Sequence, residues 1–175
     1  FQSEWTKSDT IVASIGQGFA LASPLQLAVM IARICTHGRL VTPKIIKNKE
    51  FNKKFEKISF IEEKIYSYVK QGMYNTVNNI NGTAYQSRKI KSNYFMAGKT
   101  ATSQVRRITM TEREEGIIKN EDLPRKMRDH AIFVGYFPHN KPRFAFSIVV
   151  EHGGSGSKTA APIARDICRK LVKKI

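Results

Sequence analysis

Residues 131–151, AIFVGYFPHNKPRFAFSIVVE, have the pattern of a β-hairpin. Residues 131–137 and 143–151 are rich in aromatic and β-branched side chains, and the five residues 138–142, which include two prolines, supply the turn. The second run is apolar on both faces, which predicts that it is a central strand of its sheet. A further strand is predicted upstream, over residues 94–105.

Helices are predicted before these strands. Ser23, Pro24 and Gln26 form a helix start with a capping box, and Gly38 supplies the stop. The residues between are almost all apolar, so this helix is expected to be enclosed on most sides by other elements. A second, amphipathic helix is predicted from apolar residues that recur at spacings of four, and a short helix follows from Thr83. Those apolar residues are Ile61, Ile65, Val69, Met73 and Val77.

The remaining segments complete the order of elements. Residues 106–129 are charged and weakly periodic, which predicts a long exposed connection. After the glycine-rich residues 152–157, Thr159 is expected to cap a final helix. The apolar face of that helix is predicted to consist of Ile163, Ile167, Leu171 and Ile175. Helices, one strand, a connection, a hairpin and a helix together predict an α+β fold with an antiparallel sheet.

Length and composition bound the possible functions. The chain has 175 residues, of which 41% are hydrophobic, which suits one domain or part of a larger one. It starts with Phe1 and not with Met, so we expect the natural polypeptide to begin upstream. No run approaches the roughly 20 apolar residues that span a bilayer. The longest candidate, residues 25–35, is interrupted by Gln26 and Arg33.

The formal net charge of +16 raises nucleic acid, an anionic membrane or an anionic polymer as partners. The basic residues are spread along the chain, without the aromatic-interleaved stripe that accompanies nucleic-acid recognition. A specific nucleic-acid partner is therefore disfavoured. Binding of that kind would fall steeply with salt and would be retained by the isolated chain.

Cysteines and histidines give no sign of a metal site. Cys35 and Cys168 lie among apolar neighbours, which predicts two buried small side chains and leaves a disulfide open. Four histidines are isolated in the sequence and have no zinc-ligand spacing, so no metal is expected. They are His37, His130, His139 and His152. For His130 a structural hydrogen bond is favoured over a catalytic role.

Gly98-Lys99-Thr100 invites comparison with a phosphate-binding loop. That motif needs another glycine at position 93, which is Asn93. The segment also lies inside a predicted strand and not in a strand-to-helix turn, so it lacks the helix N-terminus that would bind phosphate. The nucleotide-binding hypothesis therefore fails.

Lys99-Thr100-Ala101-Thr102 resembles the Lys-Thr-Gly-Thr box of penicillin-binding proteins and serine β-lactamases. Further segments resemble the class B penicillin-binding proteins in the order in which that family has them. These are residues 13–18, 23–28, 82–84, 98–105, 129–131 leading to 133–135, 151–156 and 160–164. The resemblance is greatest to the elongation-specific members. It implies that residues 1–175 are the C-terminal part of a transpeptidase domain with the penicillin-binding protein and serine β-lactamase-like fold.

The resemblance also implies a substrate-binding role for the box. Lys99 would supply positive potential, while the Thr100 and Thr102 hydroxyls would hold the carboxylate of a stem peptide or a β-lactam. The backbone N–H of Thr102 would be an oxyanion donor. Ala101 stands where the family has glycine, and strand alternation places its methyl on the same side as Lys99. This departure puts full activity in doubt.

The nucleophile of the family is missing from the chain. Ser67 with Lys70, and Ser155 with Lys158, satisfy the family's Ser-x-x-Lys motif literally. Both follow residues 14–18, whereas the family's nucleophile precedes that loop, so both matches are interpreted as coincidences. No Ser-x-Asn motif occurs. We therefore expect no catalytic residue in this chain, an upstream half that supplies nucleophile and base, and an isolated chain that is inactive and poorly stable.

By resemblance, the whole protein would be a serine D,D-transpeptidase that cross-links D-Ala-D-Ala stem peptides of peptidoglycan and binds β-lactams. Expected partners are a glycan polymerase and membrane proteins of the elongation complex. The expected location is the periplasmic face of the inner membrane, with an upstream anchor, and no cofactor is expected. Two alternatives stay open. One is a degenerate fragment or cell-wall scaffold without catalysis, which Ala101 favours, and the less favoured one is a basic nucleic-acid-binding domain.

Overall fold

The computed structural model describes residues 4–18, 21–46, 56–58, 60–91, 93–106 and 108–175. This part of the chain contains five α-helices and three strands. In chain order they are α1 (Lys7–Ser14), α2 (Pro24–Cys35), α3 (Glu63–Asn78), β1 (Ala97–Ser103), α4 (Met110–Glu115), β2 (His130–Phe137), β3 (Phe144–Val150) and α5 (Ala161–Leu171). Short 3₁₀ turns lie at Tyr85–Ser87, Asn120–Asp122, Arg125–Met127 and Val172–Lys174, and a π-helical turn at Gly156–Ala160 precedes α5.

The three strands form one antiparallel sheet in the order β1-β2-β3. The predicted α+β class, the hairpin and the upstream strand are confirmed. The predicted central position of the second hairpin strand is wrong for the described residues, where β2 is central and β3 lies at the edge. β3 is apolar on both faces because helices α2 and α5 pack on it.

Two apolar clusters lie on opposite faces of the sheet. On one face, Phe133 and Phe137 of β2 pack with Ala164 and Cys168 of α5. On the other face, Ile31 of α2 packs with β1 and β2 residues. Helix α3 runs beside β1 and contributes to both clusters, with Met73 in one and Val77 in the other. The sheet is therefore covered by α5 on one side and by α2 on the other.

The start of α2 is confirmed in detail. The Ser23 amide donates to Gln26 Oε1 (2.8 Å), and the Gln26 amide donates to Ser23 Oγ (3.3 Å). The described residues enclose α2 only in part, so its enclosure on most sides stays a prediction. Only Ile31 of this helix is buried, while Leu25 and Met30 are 52% and 43% exposed. Among the described residues, the sheet covers one face of α2 and leaves the opposite face open.

The predicted apolar face of α3 is only partly correct. Met73 and Val77 are buried as expected, but Tyr66 takes the third buried position, and Ile65 and Val69 are more than 40% exposed. The physical reason is the helical period. Four residues turn the helix about 40° beyond a full turn, so a long series at that spacing drifts around the helix and cannot stay on one face.

The same drift explains why the predicted apolar face of α5 is also wrong in part. Its buried residues are Ala161, Ala164 and Cys168, at spacings of three and four, while Ile163 and Ile167 are 41% and 42% exposed. Small buried side chains allow the helix axis to approach the sheet closely.

The predicted cap of this last helix is also different. Ser155 Oγ accepts from the Lys158 amide at the start of the π-helical turn. The Thr159 hydroxyl instead donates to the Gly153 carbonyl (2.8 Å). Thr159 is therefore not the cap, because the chain enters the helix through the π-turn Gly156–Ala160, which Ser155 caps.

Residues 108–129 are more ordered than a plain exposed connection. Thr109 and Glu112 form a capping box for α4, and Arg106 Nη1 donates to Glu112 Oε1 (2.7 Å). Leu123 is buried. The hydrogen bonds from Thr109 and Arg106 lower the pKa of Glu112. The charged residues here bond to each other, which is why hydrophobic periodicity did not reveal this structure.

Both cysteines are free thiols. Cys168 is buried as predicted, with its sulfur 3.6 Å from the Met96 sulfur, and burial raises its pKa to about 12. Cys35 is half-buried at the end of α2, and burial raises its pKa as well. Neither thiol has the depressed pKa of a reactive cysteine.

Within the described ranges, no helix is both long enough and apolar enough to cross a membrane.

His139 predicts a pH dependence of stability. Its Nδ1 lies 3.0 Å from the Tyr136 hydroxyl and its ring 4.5 Å from that of Tyr74. Burial, and secondarily the charge of Lys70, lower the pKa of His139 below its usual 6.5. As pH falls through about 6.5, the unfolded chain therefore takes up a proton that the folded chain does not, and stability decreases. We expect the melting temperature to be lower at about pH 5.5 than at about pH 7.5.

The control is His139→Gln, which removes the titrating group. The melting temperature difference between the two pH values should be smaller in this variant than in the parent, as measured by thermal unfolding of the complete protein. An equal difference in both proteins would contradict the prediction.

Candidate functional site

Strand β1 carries the predicted substrate-binding box at the edge of the sheet. Thr100 pairs with Phe133 and Thr102 with Ala131 of β2, and the opposite edge of β1 has no strand partner in the described part of the chain. Strand alternation places Lys99 and Ala101 on one face. Lys99, Ala101 and Thr102 are exposed, and Thr100 is half-buried.

Lys99 is an unneutralised cation. Its Nζ donates to the Thr100 carbonyl at 2.7 Å. No carboxylate of the described residues lies within 4.0 Å of it. An exposed ammonium with two remaining donors can attract and bind an anionic group.

Thr83 approaches the box from the segment after α3. The Thr83 and Thr100 hydroxyl oxygens are 3.0 Å apart, which is a hydrogen bond. The segment is anchored because Ala84 is buried and its amide donates to the Thr76 carbonyl (2.9 Å). In the sequence, residues 82–84 match the family, but no local pattern indicates a role for Thr83. Only that match signalled it.

A polar cleft of about 390 Å³ lies beside Lys99 and Thr83. The last turns of α3 and the segment after it form its other walls, with the residues Gly72, Asn75, Thr76, Asn79, Asn81 and Gly82. The cleft contains amide and hydroxyl groups and one cation, and no carboxylate lines it. Such a lining suits a ligand with a carboxylate and peptide groups.

The glycine-rich residues 152–157 support β1 from one face of the sheet. A Cβ at Gly156 would collide with the backbone of Ala101 and Ile132, so only glycine allows this approach. The Gly154 amide donates to the Asp129 carbonyl (2.8 Å), and Asp129 Oδ1 accepts from the Val105 amide (3.2 Å). These bonds join the loop, the start of β2 and the segment after β1.

His130 makes a structural hydrogen bond, as predicted from the sequence. Its Nδ1 accepts the His152 amide (2.9 Å), and His152 Nδ1 donates to the Arg128 carbonyl (3.0 Å). His152 has a positive φ of 55°, which is uncommon for a residue with a side chain. The two imidazoles therefore hold the turn that precedes Gly153.

The chain matches the family described as penicillin binding protein transpeptidase domain over residues 1–169. The chain belongs to that family. It is 32% identical over 175 residues to the peptidoglycan D,D-transpeptidase MrdA of Haemophilus influenzae, which covers 95% of this chain and 26% of the relative. The MrdA of Salmonella typhimurium is 30% identical over 176 residues, with 95% and 27% covered. The class predicted from the sequence is thereby confirmed.

Comparison with solved structures leads to the same family. Penicillin-binding protein 2 from Helicobacter pylori, in complex with MreC, is 31% identical with a TM-score of 0.80, and covers 98% of this chain and 29% of that chain. Penicillin-binding protein 2 from Pseudomonas aeruginosa, in complex with WCK 5153, is 29% identical with a TM-score of 0.69, covering 98% and 34%. The predicted penicillin-binding protein fold is confirmed. The chain spans about a quarter to a third of the length of these relatives.

The two literal Ser-x-x-Lys matches do not form the arrangement that the family's chemistry needs. Ser67 is exposed in the middle of α3, and Lys70 Nζ donates to His37 Nε2 (3.1 Å). Ser155 caps the π-turn, and Lys158 pairs with Glu121 (3.7 Å). No hydrogen bond joins either serine hydroxyl to its lysine amine in the described residues, so neither serine has an adjacent base.

His37 and Glu63 form a contact that the sequence did not predict. His37 Nδ1 donates to Glu63 Oε1 (2.8 Å), and this bond, with a contribution from Lys57, lowers the pKa of Glu63. The pair joins the end of α2 to the start of α3 and is far along the chain from the box. Across the described residues, no group of three His, Cys, Asp or Glu side chains could hold a metal ion.

Proposed function

We propose that residues 1–175 are the C-terminal part of the transpeptidase domain of a serine D,D-transpeptidase, which cross-links peptidoglycan through its D-Ala-D-Ala stem peptides. The observation that carries this is that Lys99, a cation without a carboxylate partner in the described residues, adjoins Thr100, whose hydroxyl is bonded to the Thr83 hydroxyl. Family membership supplies the reaction class.

In the proposed site, residues of this chain bind the substrate and polarise its reacting carbonyl group. Lys99 attracts the terminal carboxylate of the stem peptide or of a β-lactam, and the Thr100 and Thr102 hydroxyls donate hydrogen bonds to it. The Thr102 amide is the proposed oxyanion donor. The attacking serine and its base lie in a part of the domain outside these residues, so the chain alone cannot form the acyl-enzyme.

Partners and location are part of the proposal. The Helicobacter pylori relative was solved with MreC, which supports an elongation-complex partner for this protein. A glycan polymerase is a further proposed partner, because cross-linking needs newly made strands. We place the protein at the periplasmic face of the inner membrane, held by a segment outside residues 1–175.

Labelling by fluorescent penicillin tests the proposal. The complete protein that carries this chain should become covalently labelled, and an excess of unlabelled penicillin should prevent the labelling. Residues 1–175 alone should take up no label. A complete protein that is folded but takes up no label would overturn the enzymatic proposal.

A non-catalytic cell-wall scaffold is the second candidate, and Ala101 is the observation that favours it. The exposed methyl lies on the same face as Lys99, where the family's glycine leaves space. The same labelling experiment separates the two candidates. If only the Ala101→Gly variant reacts with penicillin, the native protein is the scaffold. If the native protein reacts, the scaffold is excluded.

Thr83 gives a prediction for this site. Thr83→Val keeps the shape of the side chain but removes the hydroxyl that bonds to Thr100, so the Thr100 hydroxyl is no longer held in place. We expect penicillin labelling of the complete protein to slow about tenfold, which equals roughly 1.4 kcal/mol. Thr83→Ser, which retains the hydroxyl, should react at close to the parent rate. Equal rates for the valine and serine variants would remove Thr83 from the site.

A further inference from the structure

A second cleft, of about 470 Å³, lies at the end of β1 away from the box. It is formed by the last turns of α3, by residues 85–91, 94 and 95, and by α5. Its aromatic and cationic walls include Tyr74, Tyr85, Arg88, Lys91, Tyr94 and Arg169. We call it the basic aromatic cleft. No residue of the hairpin lines this cleft, and the proposed transpeptidation does not use it.

Positive charge in this cleft is mostly uncompensated. Arg88, Lys89 and Lys91 have no carboxylate within 4.0 Å among the described residues, whereas Arg169 pairs with Asp166 (3.1 Å). No Asp or Glu lines the cleft. Three free cations around one concave surface favour an anionic occupant.

Arg88 is already held in position. Its guanidinium lies 3.5 Å from the centre of the Tyr85 ring, and its Nη1 donates to the Tyr85 carbonyl (2.9 Å). The stacking leaves the Nε and Nη2 donors without a partner among the described residues. A pre-positioned guanidinium with free donors can bind a carboxylate or phosphate at low entropic cost.

The aromatic rings do not form a slot for a flat base. Tyr74 and Phe95 meet edge to face, with an interplanar angle of 66° and centroids 5.8 Å apart. Tyr94 is tilted by 53° against Phe137 of the core. Stacking of a nucleobase between two faces needs nearly parallel rings, and neither of these two ring pairs is parallel. Single ring faces with tyrosine hydroxyls suit a saccharide, which offers C–H surface and hydroxyl groups together.

We propose that the basic aromatic cleft binds a saccharide that carries a carboxylate or a phosphate. Arg88 and Lys91 bind the anionic group, and the tyrosines contact the sugar ring. The last two turns of α3 separate this cleft from the polar cleft at Lys99, since Tyr74 and Asn78 line the former and Asn75 and Asn79 the latter. The inference is independent of the proposed transpeptidation, because it requires no acylation.

Calorimetric titration of the complete protein tests it with three matched sugars. The probes are N-acetylmuramic acid, which carries a carboxylate, N-acetylglucosamine 1-phosphate, and uncharged N-acetylglucosamine. At least one anionic sugar should bind at least about tenfold more tightly than the neutral one. The tighter of the two anionic sugars identifies whether a carboxylate or a phosphate is the natural group. Equal binding of all three sugars, or none, would overturn the proposal.

Variants assign the binding to this cleft. Arg88→Gln with Lys91→Gln should weaken binding of the anionic sugar about tenfold. Lys126→Gln, which removes an exposed cation that does not line the cleft, should leave it unchanged. A melting temperature equal to that of the parent shows that the double variant is folded. If the double variant does not fold, the single variant Lys91→Gln, at an exposed position, takes its place, with a smaller expected loss of affinity. An unchanged affinity in the cleft variants, or tighter binding of adenosine monophosphate than of either sugar, would contradict the assignment.

Discussion

Replacing Lys99 by glutamine is expected to slow penicillin acylation of the complete protein about 100-fold, or roughly 2.7 kcal/mol. Glutamine has nearly the length of lysine and can still donate hydrogen bonds, so the change removes mainly the charge. Lys99 is exposed beside the polar cleft, and no carboxylate in the described part of the chain neutralises it. The second-order rate of labelling by fluorescent penicillin measures the effect.

Two further variants make the Lys99 result specific. Lys126→Gln changes the same charge at another exposed position and should label at the parent rate. Lys99→Arg keeps the charge but changes its shape, and should retain more activity than the glutamine variant. If glutamine at position 99 labels as fast as the parent, the box on β1 is not the carboxylate site.

Replacing Gly98 by valine is expected to destabilise the protein by about 3 kcal/mol, because it forces a side chain into filled space. A Cβ at Gly98 would overlap the ring of Phe133 and the carbonyl oxygen of Val134. Phe133 is fully buried in the cluster under α5 and cannot move aside without opening that cluster. Thermal unfolding of the complete protein should show a markedly lower melting temperature.

Gly72 provides the matched control for Gly98. It lies within α3, where an added Cβ meets no atom within 4 Å. Gly72→Ala should therefore stabilise the protein by about 0.5 to 1 kcal/mol, because alanine favours the helix. The two glycine substitutions are thus expected to have opposite signs. A Gly98→Val protein that melts like the parent would show that the close packing of β1 on Phe133 is not required.

Local features of the fold could be predicted because their signals are local. The hairpin follows from two β-branched runs around residues 138–142, and the observed strands His130–Phe137 and Phe144–Val150 agree with it to within one residue at every end. The start of α2 follows from Ser23 and Gln26, whose reciprocal hydrogen bonds need only a helical turn. Such patterns contain all the residues that form them.

Other features depend on packing between elements, which no local sequence pattern contains. The order β1-β2-β3 could not follow from the apolarity of β3, since a strand covered by two helices has the same composition as a central strand. Spacing of four predicts the buried faces of α3 and α5, whereas Tyr66 is buried beside His37 at the end of α2 and Ala164 is buried in the cluster on the sheet. Hydrophobic periodicity identifies a helix more reliably than it identifies which side of that helix faces its packing partner.

The sequence by itself determined that this protein has an α+β fold, a β-hairpin and a strand carrying Lys99-Thr100-Ala101-Thr102, and it indicated the family through motifs in a fixed order. Only the tertiary structure decided that Thr83 bonds to Thr100, that Gly156 lies against the backbone of Ala101, and that cations and aromatic rings meet in a second cleft. The physical reason is the distance along the chain over which each effect acts. Propensities and caps act over a few neighbouring residues, whereas a site is formed by side chains from several elements, and packing decides which of them meet.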